Sequence, residues 1–342
     1  MQILYLIGNG FDINLGMKTR YTDFCNVYQE AETDDEVLEL LKQNIKEEVT
    51  WADLEKRLGE YCANITSFED FKKIYFDLVE NLGNYLEKIE NEANLNSVNK
   101  GVLLQDLCFP EQALPLGDIN DIMTFTSKWA DHEWEVDIMT FNYTSTFEKL
   151  LGPDYKNSVI GEHHSNRAAI NLRNIYHIHG LLNKGLILGV NDVSQILNSD
   201  FHKNRKILQA LIKSNYNKGR RTSVDQTCIN KISVANLICI FGCSLGDTDN
   251  CWWELIGQRL LKDNCKLIIF TKGEEINARH SYNITWVEDD IKDLFLSKTN
   301  LSEEELDIIS PKIYVAANTE IFGNILSQST DDSLLLTIPI GE

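Results

Sequence analysis

An apolar run, Ile3 to Ile7, drives straight into Gly8-Asn9-Gly10 at the start of the chain. A short run of large apolar residues stopped by a glycine turn reads as a strand buried on both faces of a parallel sheet. Glycines at that point let the backbone approach something closely. At the carboxyl edge of an open α/β sheet, that something is often a nucleotide phosphate held by backbone N–H groups. The match to a dinucleotide fingerprint is incomplete, because Ile13 stands where the third glycine belongs. The competing reading is an ordinary strand–helix turn.

Three further polar patches follow apolar runs. The strand Val136–Phe141 leads into Asn142-Tyr143-Thr144-Ser145-Thr146, with Phe147, Leu150 and Leu151 continuing at helical spacing. Asn142 would project its amide at the carboxyl edge; otherwise it turns the chain and Thr144 caps the helix. The strand Ile175–Ile178 carries His177-Ile178-His179-Gly180, and alternation along a strand places both histidines on one face. They read as a zinc pair, as a catalytic base followed by a glycine that opens room for a substrate, or as structural histidines. A metal needs further ligands; His163, His164 and Asp192 are candidates that no spacing singles out, and no metal is expected. The strand Leu237–Phe241 leads into Gly242-Cys243-Ser244-Leu245-Gly246, then Asp247 to Asn250 offer N-caps before the apolar face of Trp252, Trp253, Ile256 and Leu260. If these strands are parallel, the four loops converge on one edge, where open α/β sheets bind ligands.

The remaining strand candidates are Leu186–Leu188 and Lys266–Thr271. Between Cys25 and Asn120 the pattern turns helical. Val37, Leu38, Leu41 and Ile45 share a face, as do Leu54, Leu58 and Tyr61. The run from Phe68 through Ile74, Leu78, Leu82 and Leu86 to Ile89 implies one amphipathic helix of about six or seven turns. The fold class is therefore α/β, a Rossmann-like sheet domain (residues 1–24 and 121–300) carrying a helical insertion (25–120) and a C-terminal extension (301–342). Residues 94–120, with Pro110, Pro115 and Gly117, read as a connector. Ile207, Leu208, Leu211 and Ile212 suggest a helix, and Ser302-x-x-Glu305 a capping box for a helix ending before Pro311.

Charge and composition narrow the function. The net charge is −20, from 52 acidic against 32 basic residues, which disfavours wrapping a nucleic-acid backbone. One basic cluster, Lys203, Arg205, Lys206, Lys213, Lys218, Arg220 and Arg221, reads as a solvated helix face or as a phosphate or partner patch. No apolar run approaches the ~18–20 residues of a membrane span, and Met1-Gln2 leads directly into a strand, with no export signal. Eight cysteines without paired C-x-x-C spacing fit a reducing cytoplasm.

The set GNGFD with the following GMKTRYTDF, WADLE at 51–55, FNYTSTFE, HIHG and FGCSLGDTDN resembles the AbiH family of bacterial abortive-infection proteins, from residue 3 to about 255. The resemblance implies a role in phage defence. That family in turn is similar, distantly, to sirtuin-like NAD-binding domains. On that resemblance Gly8-Asn9-Gly10 stands at the first glycine loop. Asn142 stands at the Asn of T-x-N-x-D, His179 at the His of a His-Gly pair, and Gly242 and Ser244 at a Gly-x-Ser that contacts the cofactor. Thr144 replaces the Asp of T-x-N-x-D, and the zinc ribbon of the deacylases is missing. Cleavage of NAD, rather than protein deacylation, is what the resemblance implies.

The roles that follow are expectations. Gly8, Asn9 and Gly10 hold the diphosphate; Asn142 holds the water or the nicotinamide ribose; His179 is the base, an imidazole with a reference pKa near ~6.5. Asp12 contacts ribose or nicotinamide, or caps a helix. Thr144, Gly242, Ser244 and Asp247 complete the cofactor contacts. Glu55, Tyr21 and Asp23 reach the same pocket or are ordinary helix residues. Rival functions are a non-catalytic NAD or ADP-ribose sensor and a metal-dependent nuclease or hydrolase using His177 and His179. A phage-derived trigger and a homo-oligomer are the expected partners beyond the nucleotide.

Overall fold

The structure, a computed structural model, describes residues 1–163, 167–272 and 283–323. Its centre is a seven-stranded sheet. In chain order the strands are β1 (Gln2–Ile7), β2 (Trp134–Thr140), β3 (Ser158–Glu162), β4 (Ala169–His177), a separate hairpin of β5 (Gly180–Leu181) and β6 (Gly185–Leu186), then β7 (Leu237–Phe241), β8 (Lys266–Thr271) and β9 (Ile313–Ala317). The order across the sheet is β3-β4-β2-β1-β7-β8-β9. All neighbours are parallel except β3, which runs antiparallel to β4 at one edge.

The helices are α1 (Gly10–Asn14), α2 (Tyr21–Tyr28), α3 (Glu36–Glu47), α4 (Leu54–Tyr61), α5 (Phe68–Glu92), α6 (Lys100–Cys108), α7 (Leu116–Thr126) and α8 (Thr146–Leu151). After the hairpin come α9 (Arg205–Leu211), α10 (Lys213–Gly219), α11 (Val224–Val234), α12 (Asn250–Leu260), α13 (Asn283–Ser297) and α14 (Glu303–Ile309). Among the described residues no helix is long and apolar enough to cross a membrane.

Alternation along the central strands builds two cores, one per face. Ile3, Tyr5 and Ile7 of β1 face a core shared with Leu103 and Leu107 of α6, Ile122 of α7 and Phe147 of α8. Leu4 and Leu6 face the other way, into Ile232 of α11, Trp253 and Ile256 of α12 and Phe295 of α13. Each such buried side chain contributes about 1.5–3 kcal/mol. A third core belongs to α2–α5 together with α9 and Leu188, Val190 and Ile196. Here α5 is the long amphipathic helix read from the sequence, started by Ser67, whose Oγ accepts from the Asp70 amide at 3.1 Å.

Several expectations need correction. Residues 94–120 are not a connector but carry α6 and α7, packed on the sheet. Pro110 opens a 3-10 turn and Pro115 precedes the first residue of α7, positions where a missing N–H costs nothing. Leu186–Leu188 is no strand of the main sheet; Leu186 pairs only with Gly180 in the small hairpin. Residues 175–177 are the tail of a nine-residue β4, and Ile178 lies just past its end. Opposite Val136 and Asp137, Arg173 is an extra residue, so β4 bulges and its alternation breaks there. The capping box at Ser302 forms in both directions: its amide donates to Glu305 Oε2 at 2.9 Å, and its Oγ accepts from the Glu305 amide at 3.3 Å.

This topology fixes where a ligand can sit. From β1 the chain moves outward to β2 and β4, then returns to the opposite side of β1 as β7 and continues outward to β8 and β9. The helices that follow β1 and β7 lie on opposite faces of the sheet, Phe11 of α1 in one core and Trp253 of α12 in the other, the arrangement that opens a crevice at the carboxyl ends.

Candidate functional site

A cleft of about 1180 Å³ opens at that crevice, lined by the loops after β1, β2 and β7, by His179, and by Tyr21 and Glu55 from the helices. Gly8, Asn9, Gly10, Asp12, Asn142, Thr144, His179, Gly242 and Ser244 all line it, so most of the residues singled out in the sequence meet in one place.

The glycines meet each other. The Gly8 amide donates to Phe241 O at 2.9 Å and the Gly10 amide to Gly242 O at 3.0 Å. A Cβ on Gly8 would lie 2.4 Å from Gly242 O, one on Gly10 2.4 Å from Gly242 Cα, and Gly242 itself has φ +67°. Two backbones thus touch where no side chain fits. The two amides expected to face a diphosphate are engaged inside the protein, and what these glycines supply is a thin floor. The Asn9 side chain is likewise pinned: its Nδ2 donates to Thr19 O at 2.9 Å and its Oδ1 accepts from Thr19 Oγ1 at 2.5 Å.

Beside the floor, Asp12 is 1% exposed. Thr144 Oγ1 donates to its Oδ2 at 2.6 Å, while Oδ1 has no hydrogen-bond partner among the described residues. Burial pushes the carboxyl up to about 6, against the opposing pull of the Thr144 and Thr146 hydroxyls and the Asn142 side chain. Asn142 is also buried, and its Oδ1 too lacks a partner among the described residues. A buried polar atom left unpaired costs about 1–3 kcal/mol. Two such acceptors on one cleft wall favour a ligand that donates hydrogens, such as a hydroxyl, a carboxamide N–H or water.

On the other side stands a chain of charges. His179 Nε2 lies 2.8 Å from Asp249 Oδ1. Lys213 Nζ donates to the same Oδ1 at 2.9 Å, to Glu55 Oε2 at 2.8 Å and to Thr248 O at 3.1 Å. Glu55 also accepts from the Gly189 amide and from Tyr143 Oη, both at 3.4 Å, and Tyr143 Oη lies 3.3 Å from Tyr21 Oη. Burial works against the charge of Asp249, yet the His179 ring and the Lys213 ammonium beside it hold its carboxyl below the usual range. Burial works against Lys213 as well, and Asp249 and Glu55 outweigh it, keeping its pKa raised. With Asp249 ionised, a neutral His179 donates from Nε2, which leaves Nδ1 as the proton acceptor.

The two histidines part company. β4 ends at His177, so alternation does not carry on to His179. His177 Nδ1 lies 3.1 Å from Asn142 O and its Nε2 2.6 Å from Glu148 Oε1, at the start of α8. Among the described residues, the ligand-type atoms that cluster within 4.8 Å are those of Glu55, His179 and Asp249, without His177. The cation among them is the protein's own, the Lys213 ammonium. His163 packs edge-on against Trp134 at the opening of β2, with ring centroids 3.9 Å apart. Asp192 caps a turn through the Ser194 amide at 2.8 Å. His164 lies outside the described residues.

Asp247 departs from expectation. It is ion-paired to Lys56 at 3.2 Å and to Lys298, and Thr248 and Asp249 line the cleft in its place. Asp247–Asp249 is a 3-10 turn, and side chains two apart on such a turn point about two-thirds of a revolution away from each other. Asp23 accepts from the Arg20 amide at 3.2 Å at the start of α2 and does not line the cleft, whereas Tyr21 and Glu55 do. Lys213 and Asp249 were not singled out as site residues. Asp249 does occupy the N-cap position of α12, but its side chain makes no cap bond.

No curated protein matches the chain. The sequence model described as bacteriophage abortive infection AbiH matches residues 4–271, from within β1 to the end of β8, and every cleft residue named above lies within that span. The chain belongs to the AbiH family.

Proposed function

We propose that the protein is an anti-phage effector of the abortive-infection kind that hydrolyses NAD between nicotinamide and ribose, on a Rossmann-like, sirtuin-like sheet. Family membership supports the defence role. The strand order supports the fold: counted among the parallel strands alone, it runs third, second, first, fourth, fifth, sixth, the order of doubly wound dinucleotide-binding sheets. The cleft of about 1180 Å³ exceeds the usual ~300–1,000 Å³ of small-ligand pockets and has room for a dinucleotide. Phe141, Phe241 and Trp253 offer it aromatic walls.

The observation that carries the chemistry is the meeting, on one cleft, of a histidine held by a carboxylate with the two unpartnered acceptors of Asp12 and Asn142. The C–N bond to nicotinamide breaks with its electron pair moving to the pyridinium nitrogen, which becomes neutral, so the leaving group needs no proton. Water forms the new bond to the ribose carbon and gives its proton to His179 Nδ1. The products are nicotinamide, ADP-ribose and a proton. Asn142 Oδ1 accepts from the water or a ribose hydroxyl, and Asp12 Oδ1 from a ribose hydroxyl or the carboxamide. Thr144 acts through Asp12, orienting the carboxylate, and the diphosphate crosses the floor of Gly8, Gly10 and Gly242 towards Ser244.

The test is incubation of the purified protein with NAD, with and without lysate from phage-infected cells, followed by chromatography for nicotinamide and ADP-ribose. Both products are expected, and their loss in His179→Ala with its melting temperature unchanged. NAD that binds and stays intact in both conditions would overturn hydrolysis in favour of a sensor.

A further inference from the structure

We propose that Lys213 is a positioning residue that shares the Asp249 carboxylate with His179 and opposes the uptake of a second proton by the ring. The inference rests on the reading of His179 as the base.

An ammonium has three N–H bonds. Those of Lys213 meet three acceptors from two stretches of chain: Glu55 Oε2 on α4, and Thr248 O and Asp249 Oδ1 in the turn after β7. Nothing is left over, so the head group is fixed in direction as well as place. A structural ion pair between α4 and α10 needs the bond to Glu55 alone. The bond to Asp249 falls on the same oxygen that His179 uses.

Charge then decides the protonation of the ring. Glu55 and Asp249 bring two negative charges into a buried site, and Lys213 brings one positive charge. The other polar and titratable groups around the ring do not replace it: Tyr143 and Tyr21 are held neutral by burial, as is Cys243, and Asp225 of α11 adds a further carboxyl that favours a charged ring. Without the ammonium, Asp249 would draw a second proton onto the imidazole, and an imidazolium has no lone pair with which to accept one from water. With it, Asp249 stays anionic, accepts from Nε2 and leaves Nδ1 open.

The experiment is Lys213→Met in the full chain, read in two ways. The first is the pH profile of NAD hydrolysis. The acid limb is expected to move up by about one pH unit or more, a roughly tenfold loss below the limb that is regained at high pH, with Lys213→Arg staying near the wild-type limb. The second is the ring titration of His179 by NMR in the protein without NAD, which answers even if the wild type hydrolyses nothing. A midpoint higher in Lys213→Met than in the wild type supports the inference, and an unchanged midpoint overturns it. If Lys213→Met does not fold, Lys213→Gln, which removes the charge and keeps a polar head group for Glu55 and Asp249, is read in the same two ways, and the same upward displacement is expected. An unmoved limb and an unmoved titration in that variant overturn the proposal.

Discussion

Thr144 donates to one oxygen of the Asp12 carboxylate at 2.6 Å, and the other, buried oxygen has no hydrogen-bond partner among the described residues. The hydroxyl sets the plane of the carboxylate, and burial sets its charge. Folded, the group binds its proton more tightly than unfolded, with its pKa raised from 3.8 to about 6.

That rise corresponds to roughly 3 kcal/mol of strain on the folded state when Asp12 is charged. The sign follows: the penalty is fully present above about pH 6, fades as pH falls through that value, and is gone below 3.8. Asp12→Asn is therefore expected to raise the melting temperature at pH 7.5 and to leave it near the wild-type value at pH 4, measured by thermal melts across that range. Equal displacements at both ends would show that the charge is not the cause. The same variant is expected to lose NAD hydrolysis, since it alters the acceptor offered to the ligand.

Asn142→Ala removes an acceptor while leaving the backbone carbonyl that meets His177 in place. A fall in the rate of NAD loss of about 10²-fold or more, with urea unfolding within about 1 kcal/mol of wild type, is expected. Wild-type turnover in this variant would remove Asn142 from the site.

The contact of Gly10 with Gly242 makes a stability prediction independent of any ligand. Gly242→Ala adds a Cβ 2.6 Å from Gly10 Cα at a φ of +67°, which asks for backbone movement as well as left-handed strain. A loss of about 1–3 kcal/mol in urea unfolding is expected. Gly83→Ala is the control. Gly83 lies inside α5, where a new Cβ meets nothing within 4 Å, so a gain of about 0.5–1 kcal/mol is expected.

Glu55→Ala takes one carboxylate from a buried ammonium. Breaking a buried pair by removing one partner costs about 3–5 kcal/mol, because Lys213 keeps its charge with less to balance it. Urea unfolding measures that loss. Glu55→Gln, which preserves an acceptor for Lys213 and Tyr143, is expected to lose less.

The strands β7 and β8 could be read to the residue because five- and six-residue runs such as LICIF and KLIIFT stop at small or polar residues. β4 could not, since the extra residue Arg173 shifts the alternation in mid-strand. β3 was hidden by its half-exposed edge position. β9, although its five residues are all buried, follows a capped helix so closely that it read as part of a tail. In the site, the loops after strands were legible, because turn residues after apolar runs mark them. The charge network was not. Lys213 sits in a sequence dense with lysine and arginine and looks like its neighbours there. It differs because the bridge between Val190 and Ile212 draws the chain inward at that point. Asp249 sits where a helix cap belongs, and only its direction in space tells it from one.

Glu55, Lys213 and Asp249 come from far along the chain from one another, the first two 158 positions apart and the second pair 36. The triangle that carries His179 therefore cannot close on a growing polypeptide until translation has passed Asp249 and α12 has emerged to seat it. A ribosome that stalls earlier, or a protease that removes α4, releases a product without the assembled site. The NAD hydrolysis proposed above is in this way confined to the finished chain.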